Sequence, residues 1–332
     1  MHPVKIMTLL IMTSMVVTHA AAETSEGSRA SAQIFGPGVI SGPDGDMAPS
    51  FASGGSHLYF TRSFADTSAI MISDKKGASW SIPVTAPFSG HWRDLELAIA
   101  PNGAYAIFAS NRPHPGQTDS LHTTYFGQPQ SGGNLWKIDF ESGNSPPYPL
   151  PPSVNDGNSV WTPSISGNNN LYFMKTDPVG GRFRLHVAYY DGGKYQHVDA
   201  LPFSTGAFND VDPSIDTNEK FLVFSSDRGA SVSGPKPGPE RLFIAFNPRS
   251  PNALVCAMEI PGWTNKTESQ IESRFSPDER TLYFSSRHPD NAAGRLAKAA
   301  WNHGSINIWM IPLQPNLWRT AKGASPACRS RA

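Results

Sequence analysis

One pattern recurs five times along the chain: a strand ending in Pro-Ser-Phe or a variant, a tight polar turn, and a second strand ending in Leu-Tyr-Phe or a variant. The copies run from Pro49-Ser50-Phe51 to Leu58-Tyr59-Phe60, from Leu97-Ala98-Ile99 to Ala106-Ile107-Phe108, and from Pro163-Ser164-Ile165 to Leu171-Tyr172-Phe173. Two more run from Pro213-Ser214-Ile215 to Leu222-Val223-Phe224 and from Ser273-Arg274-Phe275 to Leu282-Tyr283-Phe284. A repeat of roughly fifty residues built only of strands predicts β-propeller blades. Apolar residues alternate along both strands of each hairpin, so a single hairpin exposes a face that only a neighbouring blade covers. The turns between them, such as Ser53-Gly54-Gly55, Pro101-Asn102-Gly103 and Gly167-Asn168-Asn169, are of types that accept left-handed backbone.

Downstream of each hairpin come a third strand, such as Asn134 to Ile138, and a fourth that runs into a Pro-containing connection, such as Val198 to Pro202. The fifth unit has no good fourth strand, whereas Gln33 to Ile40 reads as one and precedes the first hairpin. Donating it to the last blade would tie the chain ends together. The fold class is therefore all-β: a five-bladed propeller of four-stranded antiparallel blades, closed by an N-terminal strand at 33–40. Blades start near 46, 94, 160, 210 and 270, within one domain spanning 23–320 and followed by a tail at 321–332.

Apolar residues make up 39% of the 332 positions and charged residues 16%, enough to fill a large core and too little charge for a disordered chain. Net charge is +0, and no run of Lys or Arg is long enough to follow a phosphate backbone, which excludes nucleic acid as an expected partner. The first residues read as a signal peptide over 1–22: His2 and Lys5, the apolar run Ile6 to Val17, and Ala20-Ala21-Ala22 before Glu23. That run is too short to span a bilayer. A periplasmic or secreted monomer cleaved near Ala22 is expected. In such an oxidising compartment the only two cysteines, Cys256 and Cys328, invite a disulfide. Asn265-Lys266-Thr267 has the N-glycosylation form.

Carboxylates gather just before the innermost strands. Asp46, Asp94 and Asp210 occupy one repeat position, and Glu96, Asp212 and Glu272 stand two residues later, on the same face of a regular strand. If the first strand lines the central channel, these acids ring its mouth, where crowding raises their pKa or recruits a cation. The alternative is that each acid pairs with a blade arginine such as Arg112, Arg228 or Arg287. Trp92, Trp161, Phe208 and Trp263 accompany the acids. Such rings suit stacking on a sugar or peptide, and equally suit packing between blades. Long insertions at Pro113 to Gly133, Gly229 to Glu240 and His288 to Ser305 decorate the connection between second and third strands, where function often collects. Their histidines, His114, His122, His288 and His303, stand in no tight ligand spacing, and neither a metal nor another cofactor is expected.

The hairpin ends carry a further signature: Phe284-Ser285-Ser286-Arg287, Phe224-Ser225-Ser226-Asp227-Arg228 and Phe108-Ala109-Ser110-Asn111-Arg112, with Phe60-Thr61-Arg62 and Phe173-Met174-Lys175 as departures. With the Pro-Ser strand ends, this resembles the TolB-type, WD-like β-propeller repeat over nearly all of the mature chain. The resemblance implies a propeller; its members include periplasmic translocation proteins, peptidase propellers and glycan-active enzymes. The chain has no Gly-x-Ser-x-Gly, His-Glu-x-x-His or phosphate-loop motif. The expectation is a non-catalytic scaffold that binds a protein, peptide or glycan through Asp46, Trp92, Asp94, Glu96, Trp161, Asp210, Asp212 and Trp263. The alternative is a five-bladed glycoside hydrolase with Asp46, Asp94 and Asp210 as its acids.

Overall fold

The hairpins pair as their alternation requires. A computed structural model describes residues 31–125, 127–140, 145–177, 181–228, 238–258, 260, 268–287, 305–313 and 328–329. The inner strands are Gly45–Phe51, Asp94–Ile99, Val160–Ile165, Asp210–Ile215 and Ile271–Phe275. They pair antiparallel with His57–Ser63, Tyr105–Ser110, Leu171–Thr176, Phe221–Ser226 and Thr281–Ser286. Third strands follow at Ser68–Lys76, Asn134–Asp139, Phe183–Asp191, Arg241–Phe246 and Asn307–Pro312, giving a five-bladed β-propeller of antiparallel sheets. The turns behave as their residues dictate: Gly103, Asn169, Glu219 and Glu279 all take left-handed φ. Second strands each supply a fully buried phenylalanine, Phe60, Phe108, Phe173, Phe224 and Phe284, one per blade, so the core lies between neighbouring sheets.

The ring closes through the N-terminal segment. Gln33 pairs with Met310 and Ile34 with Trp309, making Gln33–Ile34 the outer strand of the fifth blade. The closing strand is shorter than the sequence predicts. After Phe35, whose N–H donates to the Ile308 carbonyl at 2.9 Å, the chain turns at Gly36 and Ile40 N–H returns to the Gly36 carbonyl at 2.8 Å. Gly36 is required there, because its φ is 54° and an added Cβ would stand 2.7 Å from the Ile40 side chain. The turn places fully buried Ile40 beside Phe35, Leu58, Phe60 and Tyr283, joining the last blade to the first.

Of the three insertions, the one in the second blade forms a hairpin of its own, His122–Tyr125 paired with Gln128–Ser131. Loop residues 229–237 and 288–304 lie outside the described residues, as do the signal-peptide reading, Trp263, Asn265, His288 and His303. Among the described residues no helix is long and apolar enough to cross a membrane.

Cys328–Arg329 adds a strand to the outer edge of the fourth blade, with Cys328 directly opposite Cys256. Directly opposed residues of an antiparallel pair have Cα atoms about 4.5–5.5 Å apart, within the range a disulfide spans. Among the described residues no cysteine is free. Non-reducing peptide mapping is expected to recover Cys256 linked to Cys328; two free thiols in protein purified without reductant would contradict it.

Candidate functional site

Every inner strand contains the same irregularity. Ala48, Glu96, Thr162, Asp212 and Glu272 occupy one repeat position, and all five have left-handed φ between 46° and 58°. The register with the second strand shifts around each of them. A non-glycine residue in this conformation costs about 1–2 kcal/mol, so five such residues need compensation. For four of them it comes from a neighbouring blade, which bonds the N–H that the bulge removes from the ladder. Ala48 N–H donates to Ser285 Oγ at 3.0 Å, Glu96 N–H to Thr61 Oγ1 at 2.8 Å, Thr162 N–H to Glu96 Oε2 at 2.8 Å and Glu272 N–H to Asp212 Oδ2 at 3.1 Å.

The bulge also separates the two sets of acids that a regular strand would place on one face. Asp46, Asp94 and Asp210 are fully buried and turn into their own blades. Arg228 donates from Nε to Asp210 Oδ1 at 3.0 Å and from Nη2 to Oδ2 at 2.6 Å, while Ser226 and Ser204 hydroxyls bond one oxygen each. At Asp94, Arg112 Nη2 and the Ser110 hydroxyl both donate to Oδ1, at 2.7 and 2.6 Å, the Ser89 hydroxyl donates to Oδ2 at 2.8 Å, and Arg112 Nε donates to Ser110 Oγ at 3.0 Å. For Asp46, Arg62 donates to Oδ1 at 2.7 Å and Gly42 N–H to Oδ2 at 2.8 Å. Each arginine also reaches a carbonyl of the incoming connection, Ile40, Phe88 or Phe203, so the clasp fastens that connection to the first two strands. Burial raises the proton affinity of Asp46, to about 6, and of Asp210, against the pull of Arg62 and Arg228. The expected acidic rim of Asp46, Asp94 and Asp210 is thus a set of internal clasps, with both oxygens of each acid already engaged. Val160 and Gln270 stand at the equivalent positions of the third and fifth blades, and there the clasp is absent.

Glu96, Asp212 and Glu272 turn the other way and meet one another. Asp212 Oδ1 accepts the Thr162 hydroxyl at 3.0 Å, and its Oδ2 holds the Glu272 N–H, so both its oxygens are committed. Glu272 Oε2 is buried with no hydrogen-bond partner among the described residues. Burial, helped by Asp212 beside it, pushes the Glu96 carboxyl up to about 7. Burial lifts Asp212 to about 6, and burial with two neighbouring carboxylates raises Glu272 well above the ordinary range. Arg274 is the cation that faces this cluster among the described residues, and it is itself buried.

Glu96 also forms the floor of a cavity of about 220 Å³ between the second and third blades. Tyr125 and Gln130 from the inserted hairpin, with Trp161, Phe183 and Arg93, form its walls. Arg93 donates to the Ser131 carbonyl at 2.7 Å and lies over the Trp161 ring at 5.5 Å, which anchors the hairpin against the wall. Tyr125 and Phe183 stack at 4.7 Å. Of the residues singled out in the sequence, the cavity therefore brings Glu96 and Trp161 together and has Asp212 close behind. Trp92 is half-buried against His91, and Phe208 lies under Arg228 of a clasp; neither lines this cavity. Thr162, Arg274, Arg93 and the two hairpin residues were not marked by the sequence pattern. Arg274 carried a signal nonetheless, since the other blades have Ser50, Ala98, Ser164 and Ser214 at its position.

No family model and no curated protein matches the chain. Among solved structures it is similar to a thermostable family-43 glycoside hydrolase, with 10% identity over 90% of this chain and 100% of that one and a TM-score of 0.51. It is also similar to a putative TolB from Agrobacterium tumefaciens, at 13% identity over 82% and 91% of the two chains with a TM-score of 0.46. For TolB from Acinetobacter baumannii the identity is 13% over 82% and 55%, and the TM-score is 0.44. The likeness to the hydrolase is one of fold: a propeller scaffold that carries unrelated functions.

The three inner carboxyls bind protons more tightly in the folded chain than in the unfolded one. For Glu96 the folded state holds the extra proton between its ordinary value of 4.5 and about 7. Stability contributed by that proton is present below this window and lost as pH rises through it. Glu96→Gln keeps an oxygen for the Thr162 N–H and removes the charge. It is expected to flatten the fall of Tm between about pH 5 and about pH 8; a pH profile parallel to that of the unaltered protein would contradict the assignment.

Proposed function

We propose that the protein is an exported, non-catalytic binding scaffold that takes a peptide or glycan segment in the Glu96 cavity. The observation that carries this reading is the convergence of a carboxyl floor, three aromatic walls and a polar rim of Arg93 and Gln130 in one concave site on rigid strands. Asp212 stands behind Glu96 and holds the Thr162 hydroxyl and the Glu272 N–H, which fixes the strands that carry the cavity. The TolB-type repeat ends are in keeping with a scaffold, and the sequence of residues 1–22 carries the assignment to the periplasm or exterior.

The test is capture of the purified protein on peptide and glycan panels. Glu96→Gln and Tyr125→Ala are expected to weaken capture by roughly tenfold or more without loss of the folded state. Undiminished capture by both variants would place recognition elsewhere. One observation favours a second reading, a glycan-active hydrolase: a carboxyl that keeps its proton to about 7 suits a general acid. Turnover of chromogenic glycosides that Glu96→Gln abolishes would replace the binding reading.

A further inference from the structure

Two positions after its left-handed residue, each inner strand presents a side chain on which neighbouring blades can close, and four blades use a small neutral one: Ser50, Ala98, Ser164 and Ser214. Two of these serines tie one blade to the next. Ser50 Oγ accepts the Ile99 N–H at 3.1 Å, and Ser164 Oγ accepts the Ile215 N–H at 3.0 Å. The fifth blade has Arg274 at this position, only 5% exposed and with an Nε that has no hydrogen-bond partner among the described residues. A buried guanidinium with an unpaired N–H is costly. Since serine or alanine serves the other four blades, closing the ring does not by itself call for an arginine.

The arginine's bonds all fall on one feature, the backbone just after the bulges. Nη1 donates to the Ser273 and Pro213 carbonyls at 2.8 and 3.3 Å, and Nη2 donates to the Pro163 carbonyl at 2.9 Å. Ser273, Pro213 and Pro163 follow the left-handed residues Glu272, Asp212 and Thr162 of three consecutive blades. One planar fork thus holds three inner strands at the same step of the bulge and fixes the direction in which those residues leave them. Thr162 carries that constraint to the cavity floor, because its N–H donates to Glu96 Oε2 at 2.8 Å while its hydroxyl donates to Asp212 Oδ1 at 3.0 Å. Charge acts along the same route. Glu96, Asp212 and Glu272 all face the Arg274 guanidinium, with Glu240 on the far side of Asp212 and Arg93 in the cavity wall.

We propose that Arg274 is a positioning residue for Glu96, the floor of the cavity, an inference that rests on reading that cavity as the recognition site. The fork holds Thr162 against Glu96 Oε2, and the positive charge favours the ionised form of the floor carboxyl. Arg274 itself touches no bound segment in this arrangement; it acts through Pro163 and Thr162.

Titration of the Glu96 side-chain carboxyl by carbon NMR in the full chain, together with amide hydrogen exchange at Thr162, tests this without a ligand. Arg274→Gln is expected to move the Glu96 midpoint upward from about 7 by roughly one pH unit. Arg274→Lys keeps the charge and loses the fork: its midpoint is expected to stay within a few tenths of a unit, while Thr162 exchanges at least about tenfold faster. Ser50→Ala removes an interblade bond at the equivalent position of the first blade and is expected to lower Tm with neither readout moved. An unmoved midpoint in Arg274→Gln would overturn the proposal, and so would unchanged Thr162 exchange in Arg274→Lys, which decides the matter if Arg274→Gln does not fold. Capture on the peptide and glycan panels is measured alongside. Failure of the unaltered protein to capture any member would overturn the recognition reading, whereas intact capture with an unmoved midpoint would overturn the role of Arg274 alone.

Discussion

Deletion of Gln33 to Ile40 is expected to abolish cooperative folding. The segment contributes the outer strand of the fifth blade and three buried apolar side chains, Ile34, Phe35 and Ile40. Each such side chain contributes roughly 1.5–3 kcal/mol on burial, and the loss also exposes the unpaired edge of Asn307–Pro312. Against a total stability of about 5–15 kcal/mol, that removes most of what holds the ring shut. Phe35→Ala is the graded version. Its ring stands 5.0 Å from Tyr283 and 6.0 Å from both Phe51 and Trp80, at the junction of the first and last blades. A loss of about 3–5 kcal/mol is expected in urea unfolding. A deletion variant that melts with the transition of the intact chain would contradict closure by this segment.

The second large effect is expected at the clasps. Asp210→Asn removes the only anion bonded to Arg228 among the described residues; the Arg228 side chain is 13% exposed. The guanidinium is then left with neutral acceptors, and breaking such a pair costs about 3–5 kcal/mol. The apolar core beside it keeps all its side chains, so the denaturant midpoint should shift while the slope stays the same. A change under about 1 kcal/mol, the size of an exposed pair, would show that the clasp is dispensable.

Much of the architecture was written in the repeat. Alternation and turn chemistry located all five hairpins, because each blade must bury one face and reverse direction sharply. The closing strand was recognisable from its apolar residues, but its end was not. Gly36 and Ile40 form a turn that local pattern does not distinguish from two more strand residues. The site was harder to read because a strand is assumed to alternate regularly. A left-handed residue at Glu96 and its equivalents aims that side chain into the channel and leaves Asp94 facing Arg112. Acids two residues apart therefore perform different work, one tying a blade together and the other forming the floor of a cavity. The walls came from far along the chain: Tyr125 and Gln130 from an insertion, Phe183 from the next blade. Only the fold brings them to Glu96.

That division between acids is tested most directly by comparing Asp94→Asn with Glu96→Gln in one experiment, measuring both the melting transition and capture of a panel ligand per folded molecule. Asp94→Asn is expected to lower Tm strongly while its folded fraction binds normally. Glu96→Gln is expected to retain its Tm, or raise it above neutral pH, and to lose capture by roughly tenfold or more. The opposite pattern, with binding lost in Asp94→Asn and retained in Glu96→Gln, would contradict the assignment of the cavity as the recognition site.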